Sequence, residues 1–321
     1  MSRATLNPKT SVAVPARPLW MSFVEAGKPG ITRLVTITSL VGFVLAALGT
    51  QWSYANLGFV AVATGLGTAL SSLGANTLNE WMERERDARM PRTAHRPLPQ
   101  ARITPRQALV AGVIESVVGV TLLAACTNIW AALVSLACIV SYVAVYTPLK
   151  PRSPISTLVG AVPGALPPLI GWCAGAGMSN AEGWFALTQL GGWSLFALMF
   201  VWQLPHFLAI AWMYREDYSL GGFKVLAVED PTGVRTARGV LLWSLLLIPA
   251  TLLPSYAMPA RAGIVFAAFA IVSSLAFLYL AVRFAIDRTR PSARRVFLAS
   301  IAHLPLLLIV LVAEAVLRSW R

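Results

Sequence analysis

The chain has 321 residues, 57% of them hydrophobic and only 12% charged, with a mean hydropathy of +0.67, whereas a soluble domain carries roughly 25% charged residues. This composition excludes an ordinary water-soluble domain and describes a membrane protein. The net charge of +13 invites a nucleic-acid reading, but the placement of the basic residues along the chain makes that unnecessary.

Residues 1–30 read as a disordered arm, and residues 31–321 as a single all-α membrane domain. The arm lacks the apolar core of a secretory signal; its Arg, Ser and Thr fit a mitochondrial transit peptide only weakly, and its shortness favours a bacterial inner (plasma) membrane over the mitochondrial inner membrane. Charge-poor windows long enough to cross a ~30 Å hydrocarbon core as helix fall near 34–51, 56–76, 107–126, 129–148, 155–177, 187–212, 239–258, 264–282 and 297–317, which predicts nine spans. Of the 26 Lys and Arg, all but Arg261, Arg318 and Arg321 lie on one side of these spans. By the positive-inside rule that side and the N-terminus are cytoplasmic (or matrix-facing), and the C-terminus lies across the bilayer. The lipid bilayer is thus the expected partner and nucleic acid is not. Cys126, Cys138 and Cys173 fall inside spans at spacings that match no metal or redox motif and read as packing residues.

The second span runs directly into the charged stretch NEWMERERD, residues 79–87. If the helix continues through it, a turn of about 100° per residue places Asn79, Glu83 and Asp87 within an ~80° arc about 12 Å long. Asn76 shares that arc, Glu80 sits at its edge, and Glu85 falls opposite. Oxygen ligands of this kind suit Mg²⁺, which keeps several waters and takes carboxylates together with substrate phosphates. A solvated helix end with mixed charges is the competing reading. The fifth span, STLVGAVPGALPPLIGW, carries three prolines and three glycines, interruptions that membranes tolerate beside neighbouring helices or a cavity.

After the sixth span a second acidic loop brings Glu216, Asp217, Glu229 and Asp230 to the same side as the first. Continued as one helix, it places Gln203, His206 and Asp217 on one face, with Tyr214, Arg215 and Glu216 around its end. Two polar stripes on one side of a greasy cavity describe a cation and polyphosphate site. Arg86, Arg92, Arg96, Lys150, Arg215 and Lys224 supply further donors to a diphosphate, and the cavity takes an apolar tail. Tyr146 and Trp172 read either as faces for an allylic carbocation or as packing. His206 and His303 are ionisable groups at membrane depth and hence functional candidates. Each has two open readings, an axial ligand to a metalloporphyrin or a hydrogen-bonded packing residue. His95 lies in a basic loop and reads as solvated.

Four ordered segments, NEWMERERDARMPRTAHRPL, YTPLKPRSPISTLVGAVPGALPPLIGW, WQLPHFLAIAWMYREDYSLGGF and ARRVFLASIAHLPLLL, resemble the protoheme IX farnesyltransferase (heme O synthase) branch of the UbiA-type intramembrane prenyltransferases. The resemblance covers nearly all of residues 30–310. It implies a bundle of nine helices and Mg²⁺-dependent transfer of farnesyl from farnesyl diphosphate to a vinyl group of heme B, giving heme O. It also implies a role in supplying terminal oxidases, with heme A synthase or oxidase-assembly proteins as partners. On the matching residues, it places metal ligation and catalysis on Asn79, Glu83, Asp87 and Asp217. Tyr214 and Arg215 join the basic side chains at the diphosphate, and His206 and His303 take the heme. The chain departs from the wider superfamily in having Glu80 and Glu83 where aspartates are usual, and chiefly Asp217 where the second motif has several. Lys224 and Val225 stand where many relatives in this branch carry proline and methionine. Prenylation of another aromatic acceptor and non-catalytic heme carriage are the rival functions; the histidines argue against the first and the diphosphate ligands against the second.

Overall fold

The computed structural model describes residues 18–320, which contain helices and no strand. Three short helices, α1 (Leu19–Ala26), α7 (Asn180–Thr188) and α9 (Arg215–Leu220), accompany nine helices long and apolar enough to span a bilayer. The spans are α2 (Pro29–Ala47), α3 (Tyr54–Asp87), α4 (Pro105–Cys126), α5 (Ile129–Leu149), α6 (Ser156–Ala176), α8 (Leu190–Met213), α10 (Val234–Ala257), α11 (Ile264–Asp287) and α12 (Arg290–Ser319). The protein is therefore a multi-pass helical membrane protein, as its composition predicts. The disordered-arm expectation fails over residues 18–30, where α1 forms and α2 begins; over residues 1–17 it lies outside the described residues. α1 forms because Ser22 and Ala26 are buried and the neighbouring Phe23 packs with Leu98, Ile103 and Ala108, while Glu25 makes a two-pronged ion pair with Arg102 at 2.7 and 2.8 Å.

Small residues set how closely the spans approach. α2 meets α6 backbone to backbone: a Cβ on Gly42, Gly171 or Gly175 would strike the carbonyls of Pro168, Ser39 and Phe43 respectively. α3 and α4 meet along Gly67, Ser71 and Gly74 against Gly112, Ser116 and Gly119, the small-residue packing expected where lipid offers no hydrophobic drive to helix association. Gly171→Leu is accordingly expected to prevent α2 from docking, with loss of the monodisperse folded species in detergent chromatography. Gly30→Ala, at a site where an added Cβ meets nothing within 4 Å, is expected to leave elution and melting temperature unchanged.

Two local distortions shape the centre. In α6, Pro167 lacks the N–H that would pair with the Pro163 carbonyl, and the helix breaks at Leu166. The Cys138 thiol donates to that freed carbonyl at 3.1 Å, so one of the cysteines has a backbone-satisfying role. In α5, residues Ser141–Tyr146 form a π-helical turn, and Thr147 donates back to the Tyr142 carbonyl at 2.9 Å. Such turns insert a residue and re-aim the side chains around it; here they are Tyr142, Tyr146 and Thr147.

Asp230, counted in the second acidic cluster, instead caps the start of α10: its Oδ2 accepts from the Thr236 N–H at 2.7 Å and hydroxyl at 2.9 Å. Burial opposes its charge, but hydrogen bonds from Thr236, Thr232 and the Gly233 N–H prevail and hold its pKa below the ordinary 3.8. Because the folded value is depressed, the stabilisation is complete above the ordinary value and fades as pH falls through the depressed one. Asp230→Ala is expected to cost about 1 kcal/mol at neutral pH, and less as a thermal scan is repeated at progressively lower pH.

Candidate functional site

α3 remains helical through Asp87, so the stripe predicted from its periodicity forms. Asn79, Glu83 and Asp87 are 1%, 4% and 1% exposed, which rules out a simply solvated helix end. Each acquires a partner from a different element. Lys28, between α1 and α2, donates to Asn79 Oδ1, and the Asn79 amide donates to Thr147 Oγ1 at 2.9 Å. Lys150, just beyond α5, lies 3.1 and 3.2 Å from the two Glu83 oxygens. Arg96, in the loop after α3, donates to Asp87 Oδ2 at 2.7 Å, while Asp87 Oδ1 is buried without a partner. Beside the stripe, Glu80 Oε1 accepts from the Leu98 N–H at 3.1 Å and so fastens that loop to α3.

The cations register this environment. For Lys150, burial opposes the charge but the Glu83 carboxylate beside it wins, and the ammonium is held above its usual range. Arg96 is likewise raised by Asp87 against the cost of burial. Lys28 goes the other way: burial and then Arg96 push it down to about 8, more than Glu83 and Asp87 restore. The site thus holds three cations against two stripe carboxylates.

Further cations and rings close the mouth. Arg92 lies 4.8 and 5.4 Å over the rings of Tyr214 and Tyr218, with its Nε buried and unpartnered. Arg86 donates at 3.0 Å to the carbonyls of Gly221 and Gly222, tying α3 to the turn after α9. Lys150 Nζ faces the Phe223 ring at 4.4 Å.

The second motif departs from its predicted form. α8 ends at Tyr214, whose backbone leaves the helical region (φ −117°, ψ 26°), and α9 starts a new direction. The common face expected for Gln203, His206 and Asp217 therefore does not exist. Asp217 is half-buried and makes no side-chain hydrogen bond or ion pair among the described residues. Arg215 stacks on Trp212 at 4.3 Å, and Lys224 is exposed, joining the site through its N–H to the Lys150 carbonyl at 3.1 Å.

Below the polar mouth a cavity of about 380 Å³ lies between α2, α3, α5, α6 and α8, within the ~300–1,000 Å³ of ligand sites. Asn76, Tyr142, Tyr146, Gln203 and His206 are the principal polar residues on a mostly apolar wall. It meets the mouth at Tyr146, whose ring is 5.8 Å from Lys150 Nζ. Trp172 does not line it: the indole is 1% exposed and packed against Gly191 and Gly192, which favours the packing reading of the two open to it. The two candidate histidines also separate, since His206 lines the cavity and His303 is buried against Phe277 at 5.7 Å.

Lys28, Thr147 and Tyr218 belong to the site and were not anticipated. The Lys-Pro pair ahead of the first span was a helix-start signal for Lys28, whereas nothing in the sequence pairs Thr147 with Asn79. Among the described residues no three His, Cys, Asp or Glu gather into a metal-binding group. The donor set nevertheless fits a hard cation that takes few protein ligands: two carboxylates and an amide oxygen on one helix face, with Asp87 Oδ1 buried and unused.

Residues 35–304 match the model of the UbiA prenyltransferase family. The chain is 39% identical over 289 residues to a protoheme IX farnesyltransferase of Solibacter usitatus, covering 89% of this chain and 95% of the relative. It is 40% identical over 296 residues to one of Opitutus terrae, covering 91% and 94%. Among solved structures it superposes on a digeranylgeranylglyceryl phosphate synthase (TM-score 0.73, 14% identity, covering 93% of this chain and 99% of that one). It also superposes on a UbiA homolog from Archaeoglobus fulgidus bound to DMAPP and Mg²⁺ (TM-score 0.61, 14% identity, 90% and 99%); at that identity the likeness is one of fold.

Proposed function

The chain belongs to the UbiA prenyltransferase family, and from that membership we propose that it transfers the farnesyl group of farnesyl diphosphate to a vinyl group of heme B, with addition of water, producing heme O and diphosphate. The observation that carries this reading is the continuity of a polar mouth rich in cations with an apolar cavity that presents a histidine, His206. The proposal rests also on the relatives bearing that activity in their names.

Asn79, Glu83 and Asp87 hold Mg²⁺ in this reading, with Asp217 completing the set from α9. Bound there, the ion supplies charge neutralisation to the departing diphosphate. Lys150, Arg96, Arg92 and Arg86 grip the phosphate oxygens, with Lys28 joining them, and Tyr214 orients Arg92. The allylic C–O bond breaks with its electron pair leaving on diphosphate. Tyr146, at the junction of mouth and cavity, turns its ring toward the resulting cation. The vinyl π electrons of heme B then form the new C–C bond, and water captures the second cation and releases a proton. No strong general base is needed, consistent with an apolar cavity without a carboxylate on its wall. In this reading the mouth faces the cytoplasm, which the one-sided distribution of Lys and Arg supports, and the membrane is a bacterial inner membrane.

The test is incubation of detergent-purified protein with heme B, farnesyl diphosphate and Mg²⁺, followed by mass spectrometry. A farnesylated and hydrated heme is expected. Folded, heme-bound protein that makes none sinks the proposal, and turnover of a quinone-type aromatic acceptor in its place transfers the site to that substrate.

A further inference from the structure

The cavity wall holds one histidine in a geometry that suits a single tautomer. His206 Nδ1 is 2.6 Å from Ser300 Oγ on α12. Ser300 has one hydroxyl proton, and the carbonyl of Phe297, a turn earlier on the same helix, lies 2.6 Å away to accept it. When Ser300 commits its proton to that carbonyl it meets a neutral imidazole with a lone pair, and Nδ1 then carries the ring hydrogen and donates it. Nε2 is then unprotonated, and no described residue hydrogen-bonds to it. The ring's tilt is constrained as well: Trp202 stacks on it at 5.3 Å and Phe297 packs on it at 5.1 Å. Trp202 Nε1 in turn donates to the Ser300 carbonyl at 3.1 Å. Ser300 therefore anchors both the imidazole and the indole stacked on it.

An imidazole whose Nδ1–H is held by an oxygen acceptor and whose Nε2 lone pair is free is the form that binds a metal, and the holding group sets both tautomer and orientation. His303 presents the opposite picture. It is 5% exposed, does not line the cavity, and both its ring nitrogens are buried without a partner.

We propose that His206 binds the iron of the heme substrate through Nε2, that Ser300 is the positioning residue that keeps this nitrogen unprotonated and aimed into the cavity, and that His303 does not touch the iron. The assignment rests on heme being the acceptor, as proposed above, and adds which histidine holds it and by what support.

Ferric heme B titrated into purified protein without farnesyl diphosphate separates the two readings, with absorption and electron paramagnetic resonance as the readouts. The wild type is expected to show an imidazole-ligated heme. His206→Gly loses that signature and regains it with added imidazole, and His303→Ala keeps it. Ser300→Ala weakens binding by roughly 10- to 100-fold and Ser300→Thr restores it, while ¹⁵N-histidine spectra of the heme-free protein show His206 protonated at Nδ1. Loss of the signature in His303→Ala with retention in His206→Gly overturns the assignment. Wild-type affinity and spectrum in folded Ser300→Ala overturn the positioning role. A wild type that binds no heme removes the acceptor reading itself, and this inference with it.

Discussion

Asp87→Asn is expected to lower farnesyl transfer by at least about 10²- to 10³-fold, the scale of removing one electrostatic stabiliser of developing charge, while heme binding stays at its wild-type level. The substitution keeps side-chain volume and leaves an amide oxygen for Arg96, which now donates to Asp87 Oδ2 at 2.7 Å. What it removes is the negative charge at Oδ1, the one stripe carboxylate oxygen that is buried and unpartnered. If that oxygen faces a divalent ion, its charge is needed when diphosphate departs and not when heme settles against His206. Steady-state turnover by mass spectrometry and heme affinity by absorption measure the two separately, and a melting curve confirms the fold. Equal loss of both assigns Asp87 to the architecture of the mouth. Loss of neither favours a heme carrier, for which the acidic stripe has no task.

The parts of this site that were legible in the sequence are those built on one uninterrupted helix. Asn79, Glu83 and Asp87 could be placed together because α3 continues to Asp87, so a fixed angular step stays valid across the membrane surface. The same step failed for Asp217, since Tyr214 ends α8 and periodicity says nothing across a break. Nine spans followed from hydropathy, which depends on local composition alone. The Lys-Pro pair marks Lys28 only as the start of a helix, because its role at the site arises where the junction of α1 and α2 meets Asn79 on α3, a tertiary contact that local sequence does not reveal. Trp172 was left open and Asp230 was misplaced for the complementary reason: an aromatic ring in a span and an acid in a loop have the same sequence appearance whether they face a ligand or pack and cap. Ser300 shows the limit most sharply, for its chemistry lies in which of two neighbours takes its single proton.

The pair Glu83 and Lys150 offers a test that separates a structural ion pair from a working one. Their side chains are 5% and 13% exposed, with Nζ 3.1 Å from Oε1, so neither charge is well solvated alone. Glu83→Gln leaves an unpaired ammonium and Lys150→Met an unpaired carboxylate, and each is expected to cost up to about 3–5 kcal/mol of stability. The double variant removes both charges, and its melting temperature is expected to recover most of the loss, because replacing a buried pair with neutral groups is often close to neutral. Turnover is expected to behave differently. Lys150 alone raises KM for farnesyl diphosphate by losing a phosphate donor, Glu83 alone lowers kcat by losing a metal ligand, and the double variant recovers neither even though it folds. Stability that recovers without activity separates the two roles within one cycle. A double variant that regained turnover along with its melting temperature would instead make the pair a strut between α3 and the end of α5, and would move the metal site toward Asp87 and Asp217.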